Sequence, residues 1–576
     1  MKLLPAIVAF VVSFFAFSFL FLDAPVIPDG DSYFHLAASR EYAQHGYPEQ
    51  LRWTRASILG QHFGDKDFLF HVLLVPFAAG DDPATAGRFA LALLNASVAA
   101  AMTASATAAL GWWSLAVPLW LYLAAPMFVF RVLRLRPEVL ALLLLLALIH
   151  LAAARRYVGF AVFAAVFALS YTAFHVVPGL VVLWLAVTRE RDWKLLVAAV
   201  GGVAAGLVVH PGFPWNLKIW WIVNVQLFFL QRSHLDVGTE YIPPSISALL
   251  LDNLGWWIGI ALLFFLASER ASDRRPFLLA GVAAIVFGVL TLLMQRMTIY
   301  LAAFATLAML LRLANPLPPR RAAIIGGALL LTIPLSLLGT LATYRGVYGD
   351  PRMEAEYAEF GKAVLPGSAV AAHWGPTEFY TFFAPQGRYL NVLDPIFMYV
   401  RVPEVYEAQR RVFDGSEPDV PRVVAYVLRS NFIAFPSTSP LFERLQFDPR
   451  FSMIHNGYSV LGRIHADADS RFVRDWNESP ARNAYVDARR VSGARCVQFT
   501  RDETIAGAAM RIYELSSYGP AELTIDRAVR VRSRPSGAML GRGTLFRIPL
   551  AAGTHRFVVN TCAGASGANG FYLLAR

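Results

Sequence analysis

Apolar residues fall in long runs up to about residue 345, and short polar stretches separate these runs. The apolar segments are 3–22, 84–110, 112–130, 137–154, 157–169, 171–188, 194–210, 246–267, 277–294, 299–313 and 322–343. Several are shorter than the roughly 20 residues of a full membrane span, so we expect tilted or broken helices. The pattern predicts a polytopic α-helical membrane protein with about 11 transmembrane helices in residues 1–344.

After residue 345 the pattern changes to that of a water-soluble chain. In residues 345–480 strand-like runs alternate with helical ones, which predicts a small α/β domain. The expected strands are Ala369–His373, Tyr389–Leu393, Phe432–Phe435 and Tyr458–Ile464, and the expected helices are Met353–Val364, Val402–Phe413 and Arg422–Ser430. Residues 481–576 consist of short alternating runs between Gly, Pro and Ser turns, which predicts a β-sandwich. The sandwich is a candidate for carbohydrate binding, and a scaffold or docking module fits the sequence equally well.

Charge distribution orients the membrane helices. The chain is 56% hydrophobic, only 16% charged, and carries a net charge of +11. Basic stretches cluster on one side of the predicted bundle, which the positive-inside rule makes the cytoplasmic side; they are Lys2, 155–156, 189–194, 270–275 and 312–321. An odd helix number then places the C-terminal region outside. The excess of arginine is topological on this interpretation, and we expect no nucleic-acid partner.

The N-terminal segment and the cysteines agree with an exported C-terminal region. Segment 3–22 resembles a signal peptide, but no small-x-small cleavage site follows it, so we expect an uncleaved first helix. The sequence has two cysteines, Cys496 and Cys562, both in the C-terminal region. An even pair in an exported domain is expected to form one disulfide.

Carboxylates gather in the first outward loop, residues 23–83. It carries two acidic clusters, Asp29-Gly-Asp31 and Asp65-Lys-Asp67. Carboxylate oxygens are hard ligands suited to Mg²⁺ or Mn²⁺ bound together with a phosphate, and a carboxylate can serve as a general base. A solvated loop in which Asp31 caps a helix is the alternative. Two such clusters in one loop favour a functional site.

Arginines lie at the same membrane face. Arg296 is expected at an outward helix tip, where a guanidinium suits bidentate phosphate binding; an interfacial anchor is the alternative. The stretch RVLRLRPEV holds Arg131, Arg134, Arg136 and Glu138 at a second outward tip. This stretch breaks the positive-inside rule, which favours a role in phosphate or acceptor binding.

The acidic loop resembles the first outward loop of the C-type clan of membrane glycosyltransferases. The stretch Asp31-Ser-Tyr-Phe-His35 is similar to the D-x-Y-x-x motif of the catalytic subunit of oligosaccharyltransferase, and Asp65-Lys-Asp67 is similar to the second acidic motif of that family. The resemblance implies that Asp31 is a catalytic base or metal ligand and that Asp65 and Asp67 are metal ligands. Asp67 would also be catalytic, and Tyr33 and His35 would bind substrate.

Two further residues carry the resemblance. Glu240, in Val237-Gly-Thr-Glu240-Tyr, resembles the glutamate of the T-x-x-E element in the mobile loop of oligosaccharyltransferase and would be catalytic, although Thr239 directly precedes it here. A surface glutamate before a helix that starts at Pro243-Pro244 is the alternative. Arg296 resembles the arginine that holds the lipid-linked phosphate. Arg134 and Arg136 are predicted to bind substrate because of their charge and position, apart from the resemblance. The WWD-type motif that reads Asn-x-Ser/Thr sequons is absent from the sequence, so the resemblance does not extend to N-glycosylation of sequons.

The sequence therefore predicts an inverting, metal-assisted glycosyltransferase of the bacterial inner membrane with its C-terminal region in the periplasm. The expected donor is a polyprenyl-(pyro)phosphate-linked sugar or glycan, the acceptor a glycan, lipid or protein, and the cofactor Mg²⁺ or Mn²⁺. Membrane lipid surrounds the helices. A transporter or flippase for a lipid-linked or anionic solute is one alternative, and a non-catalytic envelope assembly protein is another.

Overall fold

The structure is a computed structural model. It describes residues 3–230, 235, 238–266, 274–313, 316–445, 448, 450–465, 486–487, 496–517, 519–527, 529–533, 544–562 and 570–575. The chain forms two compact units. The first comprises Met1–Arg52, Ser57–Glu354 and Val392–Val400, and the second comprises Trp53–Ala56, Ala355–Asn391 and Arg401–Arg576.

The first unit is helical. In chain order its helices are α1 Leu4–Asp23, α2 Gly30–His45, α3 Phe68–Ala78, α4 Pro83–Leu110, α5 Ala116–Ala124, α6 Pro126–Val132, α7 Pro137–Ala153, α8 Tyr157–Ser170, α9 Val176–Thr188, α10 Trp193–Val209, α11 Trp215–Trp221, α12 Leu227–Leu230, α13 Ile246–Leu250, α14 Leu254–Leu266, α15 Arg274–Thr291, α16 Thr298–Leu311, α17 Pro319–Thr332 and α18 Leu337–Arg345. Further along the chain lie α19 Met353–Ala363, α20 Thr377–Phe383, α21 Ile396–Tyr399, α22 Pro403–Phe413, α23 Val420–Arg422 and α24 Pro440–Leu445.

Many of these helices have the composition of membrane spans. Three stretches in the described part of the chain are long and apolar enough to cross a bilayer: Leu4–Asp23, Pro83–Ala124 and Pro319–Arg345. The shorter apolar helices are Phe68–Ala78, Pro137–Ala153, Tyr157–Ser170, Val176–Thr188, Trp193–Val209, Leu254–Leu266, Arg275–Thr291 and Gln295–Leu311. The stretch Pro83–Ala124 takes up the predicted segment 84–110 and much of 112–130. Phe68–Ala78 was expected to be loop, because 11 residues are too few for a full span.

Small residues let two of the short helices approach closely. Gly202 and Gly206 on α10 face α8, and a Cβ added at these positions would lie 2.3 Å from the carbonyl oxygen of Ala161 and 2.5 Å from that of Ala165. Interfaces of this kind are typical of helices packed within a membrane. The backbones of α8 and α10 therefore touch where any side chain would hold them apart.

Helix α2 replaces most of the first half of the expected outward loop. It begins after Asp29, whose φ of 138° is a backbone conformation that is strained for a residue with a side chain. Asp31 lies in its first turn, where the helix dipole favours a carboxylate. Tyr33 and Leu36 are fully buried. The helix thus fixes both acidic residues of the first cluster to a rigid element.

The described residues of the second unit form three sheets. Its strands are β1 Ala369–Ala372, β2 Arg388–Tyr389, β3 Phe432–Pro436, β4 Phe451–Asn456, β5 Ser459–Ile464, β6 Val486–Asp487, β7 Cys496–Ile505, β8 Ala509–Ser517, β9 Ala521–Ile525, β10 Val529–Ser533, β11 Thr544–Leu550, β12 Gly553–Cys562 and β13 Gly570–Ala575. The first sheet has the order β2-β1-β3-β5-β4, with β1 parallel to β2 and β3, and β5 antiparallel to β3 and β4. Three of its strands, β1, β3 and β5, fall on predicted runs, whereas β2 shares only Tyr389 with the predicted Tyr389–Leu393 and β4 was not predicted.

Two further sheets share one hydrophobic core. Their orders are β10-β9-β12-β7 and β11-β8-β13-β6, and all their printed pairings are antiparallel. Phe499, Leu523 and Phe557 come from one sheet and Tyr513 and Phe571 from the other, and all five are buried together. The register places Cys562 of β12 opposite Cys496 of β7, and Cys562 is disulfide-bonded. Since the sequence has two cysteines, the structure agrees with the expected pair.

Candidate functional site

The guanidinium of Arg136, just before α7, binds three carboxylates, two of them at the start of α2. Arg136 donates to both oxygens of Asp29, with 2.8 Å between Nη2 and Oδ1, and its Nη2 lies 2.8 Å from Oδ2 of Asp31. Its Nη1 donates to Oε2 of Glu240. Arg134 adds a more distant contact, 3.7 Å to Asp29. The first acidic cluster, the arginine stretch and the later glutamate, which the sequence separates widely, therefore meet at one point.

Local backbone preferences set this arrangement. Arg136 precedes Pro137, and its φ of −129° and ψ of 152° are the extended values that a following proline imposes. The residue is thereby held out of α7 with its side chain directed at Asp29. The strained φ of Asp29 persists because two arginines bind its carboxylate.

Glu240 is contacted by three arginines. Besides Arg136, Nη1 of Arg131 lies 3.3 Å from Oε2 and Nη1 of Arg296 lies 3.8 Å from Oε1. Arg131 is fully buried and also lies 3.5 Å from Glu138. Burial acts to raise the pKa of Glu240, but the arginines outweigh it and hold that pKa well below its usual value. Glu240 is therefore an ionised carboxylate within a buried cationic cluster.

Arg296 lies at the polar end of an apolar cavity. Its Nη1 donates to the hydroxyl of Tyr241 at 3.0 Å and its Nη2 to that of Tyr171 at 3.3 Å. The cavity has a volume of about 180 Å³, and with the open space at its mouth it spans about 880 Å³. Its apolar lining includes Leu145, Phe167, Phe287, Leu290 and Met294. A second, smaller apolar cavity of about 40 Å³ shares Leu145 with it.

The second acidic cluster divides into two parts with different partners. Asp65 accepts hydrogen bonds from Tyr42 and, at 2.6 Å, from His71, and its other oxygen accepts from the amide of Asp67 at 3.0 Å. Burial acts to raise the pKa of Asp65, but these donors lower it below its usual value. His71 also contacts His35 at 2.8 Å. Asp65 is thus the end of a buried network and does not share a ligand position with Asp31.

Asp67 faces a different group of charges. Burial raises its pKa to about 6, against the opposing effect of Lys66. Its Oδ1 is buried and has no hydrogen-bond partner in the described residues. Lys66 interacts electrostatically with Asp67 and Asp394, which raise its pKa although burial opposes them. The effect of Arg296 on both Lys66 and Asp67 places these groups near the polar end of the cavity.

Sequence reasoning missed Lys66 and Asp394 as site residues. Lys66 had a signal, since a lysine stands between the two aspartates of the second cluster. Asp394 lies in the apolar stretch RYLNVLDPIFMY, where a lone carboxylate in a buried segment points to function. Tyr171 and Tyr241 gave no signal, because a tyrosine near a membrane face is ordinary.

Tyr33 takes part in a second buried polar cluster, with Glu354 and Arg88. It is fully buried, its hydroxyl accepts from the amide of Ile27 at 3.0 Å, and it donates to Glu354 at 2.7 Å. Arg88 binds the same oxygen of Glu354 at 2.9 Å. Tyr33 therefore anchors α2, and its role in substrate binding stays a prediction from the sequence.

The side chains that the sequence predicts as cation ligands do not surround one position. Within the described ranges no group of three or more His, Cys, Asp or Glu side chains is placed to hold one ion. Asp31 is bound by Arg136, and both oxygens of Asp65 accept hydrogen bonds. The side chains as placed therefore do not fit a resident cation shared by Asp31, Asp65 and Asp67, and the divalent cation stays a prediction from the sequence.

Comparison with known proteins gives likeness of fold. The sequence matches no family model and no curated protein. ArnT from Cupriavidus metallidurans in the apo state is similar over 80% of this chain and 98% of its own, with a TM-score of 0.50 and 16% identity. ArnT bound to undecaprenyl phosphate gives a TM-score of 0.49 and 17% identity over 79% and 97%. The apo oligosaccharyltransferase of Archaeoglobus fulgidus is similar over 99% and 96%, with a TM-score of 0.55 and 8% identity. The chain therefore shares the fold of ArnT and of the oligosaccharyltransferase, which confirms the fold that the resemblance implies.

Proposed function

We propose that this protein is a glycosyltransferase that moves a sugar or glycan from a polyprenyl-(pyro)phosphate donor to an acceptor at the outer face of the bacterial inner membrane. The observation that carries the proposal is the apolar cavity with Arg296 at its polar end. An isoprenoid chain needs apolar walls, and a phosphate needs a guanidinium at the end of them. Both are present within one helical bundle of the right fold.

The cations of the site suit the departure of a phosphate. When the bond from sugar to phosphate breaks, negative charge develops on the phosphate oxygen. Arg296 and Lys66 are fixed cations near the end of the cavity, and preorganised cations of this kind stabilise such charge in a site that excludes water. Glu240 lies 3.8 Å from Arg296 and keeps it ionised and oriented until a phosphate takes its place.

The acceptor side is assigned to the start of α2. The side chain of Asp31 is 25% exposed and that of Asp29 is 11% exposed, so Asp31 is the more accessible of the two. Asp31 orients the acceptor, which is a glycan, a lipid or a protein. A single displacement at the sugar carbon inverts its configuration, so we propose an inverting reaction. Arg134 and Arg136 hold the acidic residues in position.

The proposed topology has about 11 membrane spans with residues 345–576 in the periplasm. Residues 345–480 form the α/β domain and residues 481–576 the sandwich. The site then faces the periplasm. We propose separately that transfer needs a divalent cation. Its rate should fall in EDTA and return when Mg²⁺ or Mn²⁺ is added, and full activity in EDTA would contradict this.

The donor is tested by weighing the lipid that copurifies with the protein. We expect a polyprenyl phosphate or its glycosylated form, and we expect the Arg296→Gln variant to lose it, because the phosphate loses its guanidinium. Arg312→Gln is the matched control, since Arg312 lies over the ring of Phe264, 4.3 Å from its centroid, and does not line the cavity. A wild-type preparation that carries no polyprenyl lipid, or a variant that keeps it in full, contradicts the proposed donor site.

A further inference from the structure

Three polar side chains on the wall of the apolar cavity have no role in the function proposed above. Thr172, His175 and Asn224 line this cavity together with Arg296. Thr172 directly follows Tyr171, whose hydroxyl accepts from Arg296 at 3.3 Å, so the polar wall lies next to the guanidinium. An isoprenoid chain offers these groups neither a donor nor an acceptor, and polar atoms covered by hydrocarbon without a partner cost free energy. The lipid chain alone therefore does not match this part of the cavity.

The orientation of the Asn224 amide follows from its acceptors. Its Nδ2 donates to Oγ1 of Thr172 at 3.0 Å and to the carbonyl oxygen of Trp220 at 3.2 Å, and the carbonyl oxygen of Thr172 lies 3.5 Å away. Backbone carbonyls only accept, so the amide nitrogen is the atom that meets them. Oδ1 of Asn224 is then an acceptor without a hydrogen-bond partner among the described residues.

The backbone around Asn224 is also irregular. Asn224 lies in the π-helical turn Ile222–Gln226, which separates α11 from α12. Single turns of this kind occur frequently at functional sites. The irregular turn is a second observation, independent of the hydrogen bonds, that favours a role for Asn224 in ligand binding.

Trp220 also fixes the protonation of His175. Its Nε1 donates to Nδ1 of His175 at 3.1 Å. An indole nitrogen only donates, so Nδ1 carries a lone pair, the imidazole is neutral, and its proton is on Nε2. This Nε2–H has no acceptor in the part of the chain that the structure describes. Trp220 therefore holds both a donor on His175 and an acceptor on Asn224 that the described protein does not use.

We propose that His175 and Asn224 bind hydroxyl groups of the sugar on the lipid-linked donor. The inference rests on the proposed glycosyl transfer: the sugar is bonded to the phosphate assigned to Arg296, so it must lie next to that guanidinium, where this wall is. A sugar hydroxyl both donates and accepts, so it matches Nε2–H and Oδ1 alike. Neither group is charged, whereas a second phosphate would call for cations. Thr172 and Trp220 are positioning residues that hold the amide and the imidazole.

Binding is measured by native mass spectrometry of the full-length protein in detergent. The protein is offered undecaprenyl phosphate, which has no sugar, together with lipid-linked sugars extracted from membranes of the native cell. We expect Asn224→Leu and His175→Phe, which roughly keep the size of the side chain, to lower the share of glycosylated lipid about tenfold, because each loses a hydrogen bond to the sugar. Both variants should bind undecaprenyl phosphate as the wild type does.

Three further variants separate sugar binding from a structural effect. His175→Gln keeps an amide donor, so it should retain more glycosylated lipid than His175→Phe. Trp220→Phe removes the indole donor but leaves the imidazole, so its loss should be smaller than that of His175→Phe. Trp221→Phe is the matched control, since Trp221 is 46% exposed and is not among the described residues that line the cavity. It should bind both lipids in the wild-type proportion.

The state of the imidazole is tested without any ligand. In full-length protein labelled with ¹⁵N-histidine, the signals that disappear in His175→Gln belong to His175. We expect a proton on Nε2 and none on Nδ1. A proton on Nδ1 would overturn the hydrogen bond from Trp220 and the donor assigned to His175.

The outcomes distinguish the sugar subsite from the proposed function. If Asn224→Leu and His175→Phe bind glycosylated lipid in the wild-type proportion, the subsite is wrong and the proposed function stands. If they lose undecaprenyl phosphate to the same extent as the glycosylated lipid, these residues only shape the cavity, and the subsite is wrong as well. If the wild type binds neither lipid, the proposed function fails and the subsite fails with it.

Discussion

At the scale of single residues, Arg136 binds more carboxylates than Arg134 does. It binds Asp29, Asp31 and Glu240, and its side chain is 9% exposed, whereas Arg134 is 20% exposed and reaches Asp29 alone at 3.7 Å. Removal of one partner from a buried ion pair costs about 3–5 kcal/mol, because the other charge stays buried. We expect Arg136→Gln to lower the free energy of unfolding by about that amount.

Arg134→Gln is the matched control for this change. A partly exposed ion pair contributes about 0–1 kcal/mol, so this variant should unfold close to the wild type. Denaturation in detergent, followed by tryptophan fluorescence, measures both. Equal losses in the two variants would mean that Arg136 does not hold the three carboxylates.

The raised pKa of Asp67 makes the stability of the folded protein fall as the pH rises. Its pKa rises from 3.8 to about 6 in the folded chain, so the folded state binds the proton more tightly than the unfolded state does. Stability therefore falls as the pH rises from about 4 to about 6, and the loss is complete above that range. We expect Asp67→Asn to gain stability relative to the wild type at pH 7 but not at pH 4. Melting temperatures at the two pH values measure this, with exposed Asp81→Asn as a control.

At the scale of elements, the contact of α8 with α10 depends on two glycines. A Cβ at Gly202 would lie 2.3 Å from the carbonyl oxygen of Ala161, whereas one at Gly201 meets nothing within 4 Å. Overpacking of this kind costs about 1–3 kcal/mol. We expect Gly202→Ala to lower the melting temperature and Gly201→Ala to leave it unchanged or raise it, since alanine is the better helix former. The same shift in both would show that the helices are not in close contact.

Elements were predictable where the pattern is regular. Strands β9 and β12 fall on alternating runs, because burial of one face of a sheet imposes a period of two. Helix α2 could not be predicted from the sequence. Its 16 residues combine a fully buried Tyr33 with polar positions, so the pattern matches neither a membrane span nor an amphipathic helix. Asp29, Asp31 and Arg296 could be proposed from residue type and position, but their convergence on Arg136 and Glu240 depends on tertiary packing that no local pattern encodes.

At the scale of the whole molecule, the proposed topology places residues 345–576 in the periplasm. Fusion of alkaline phosphatase after Arg576 should give an active enzyme, because that enzyme needs export, and fusion of a fluorescent reporter that matures in the cytoplasm should stay dark. Non-reduced peptides from native membranes should contain the Cys496–Cys562 pair. A dark phosphatase and a bright reporter would reverse the topology and move the site to the cytoplasm.

The shortness of the helices around the cavities has a consequence for the lipid itself. Helices α8 and α9 have 14 and 13 residues, so at 1.5 Å per residue each is about 20 Å long, against about 30 Å for the hydrocarbon layer. A bilayer meets such hydrophobic mismatch by becoming thinner beside the protein. Lipid headgroups next to α8 and α9 then sit deeper than elsewhere, so a phosphate travels a shorter distance to Arg296, and the protein should be most stable in membranes made of short-chain lipids.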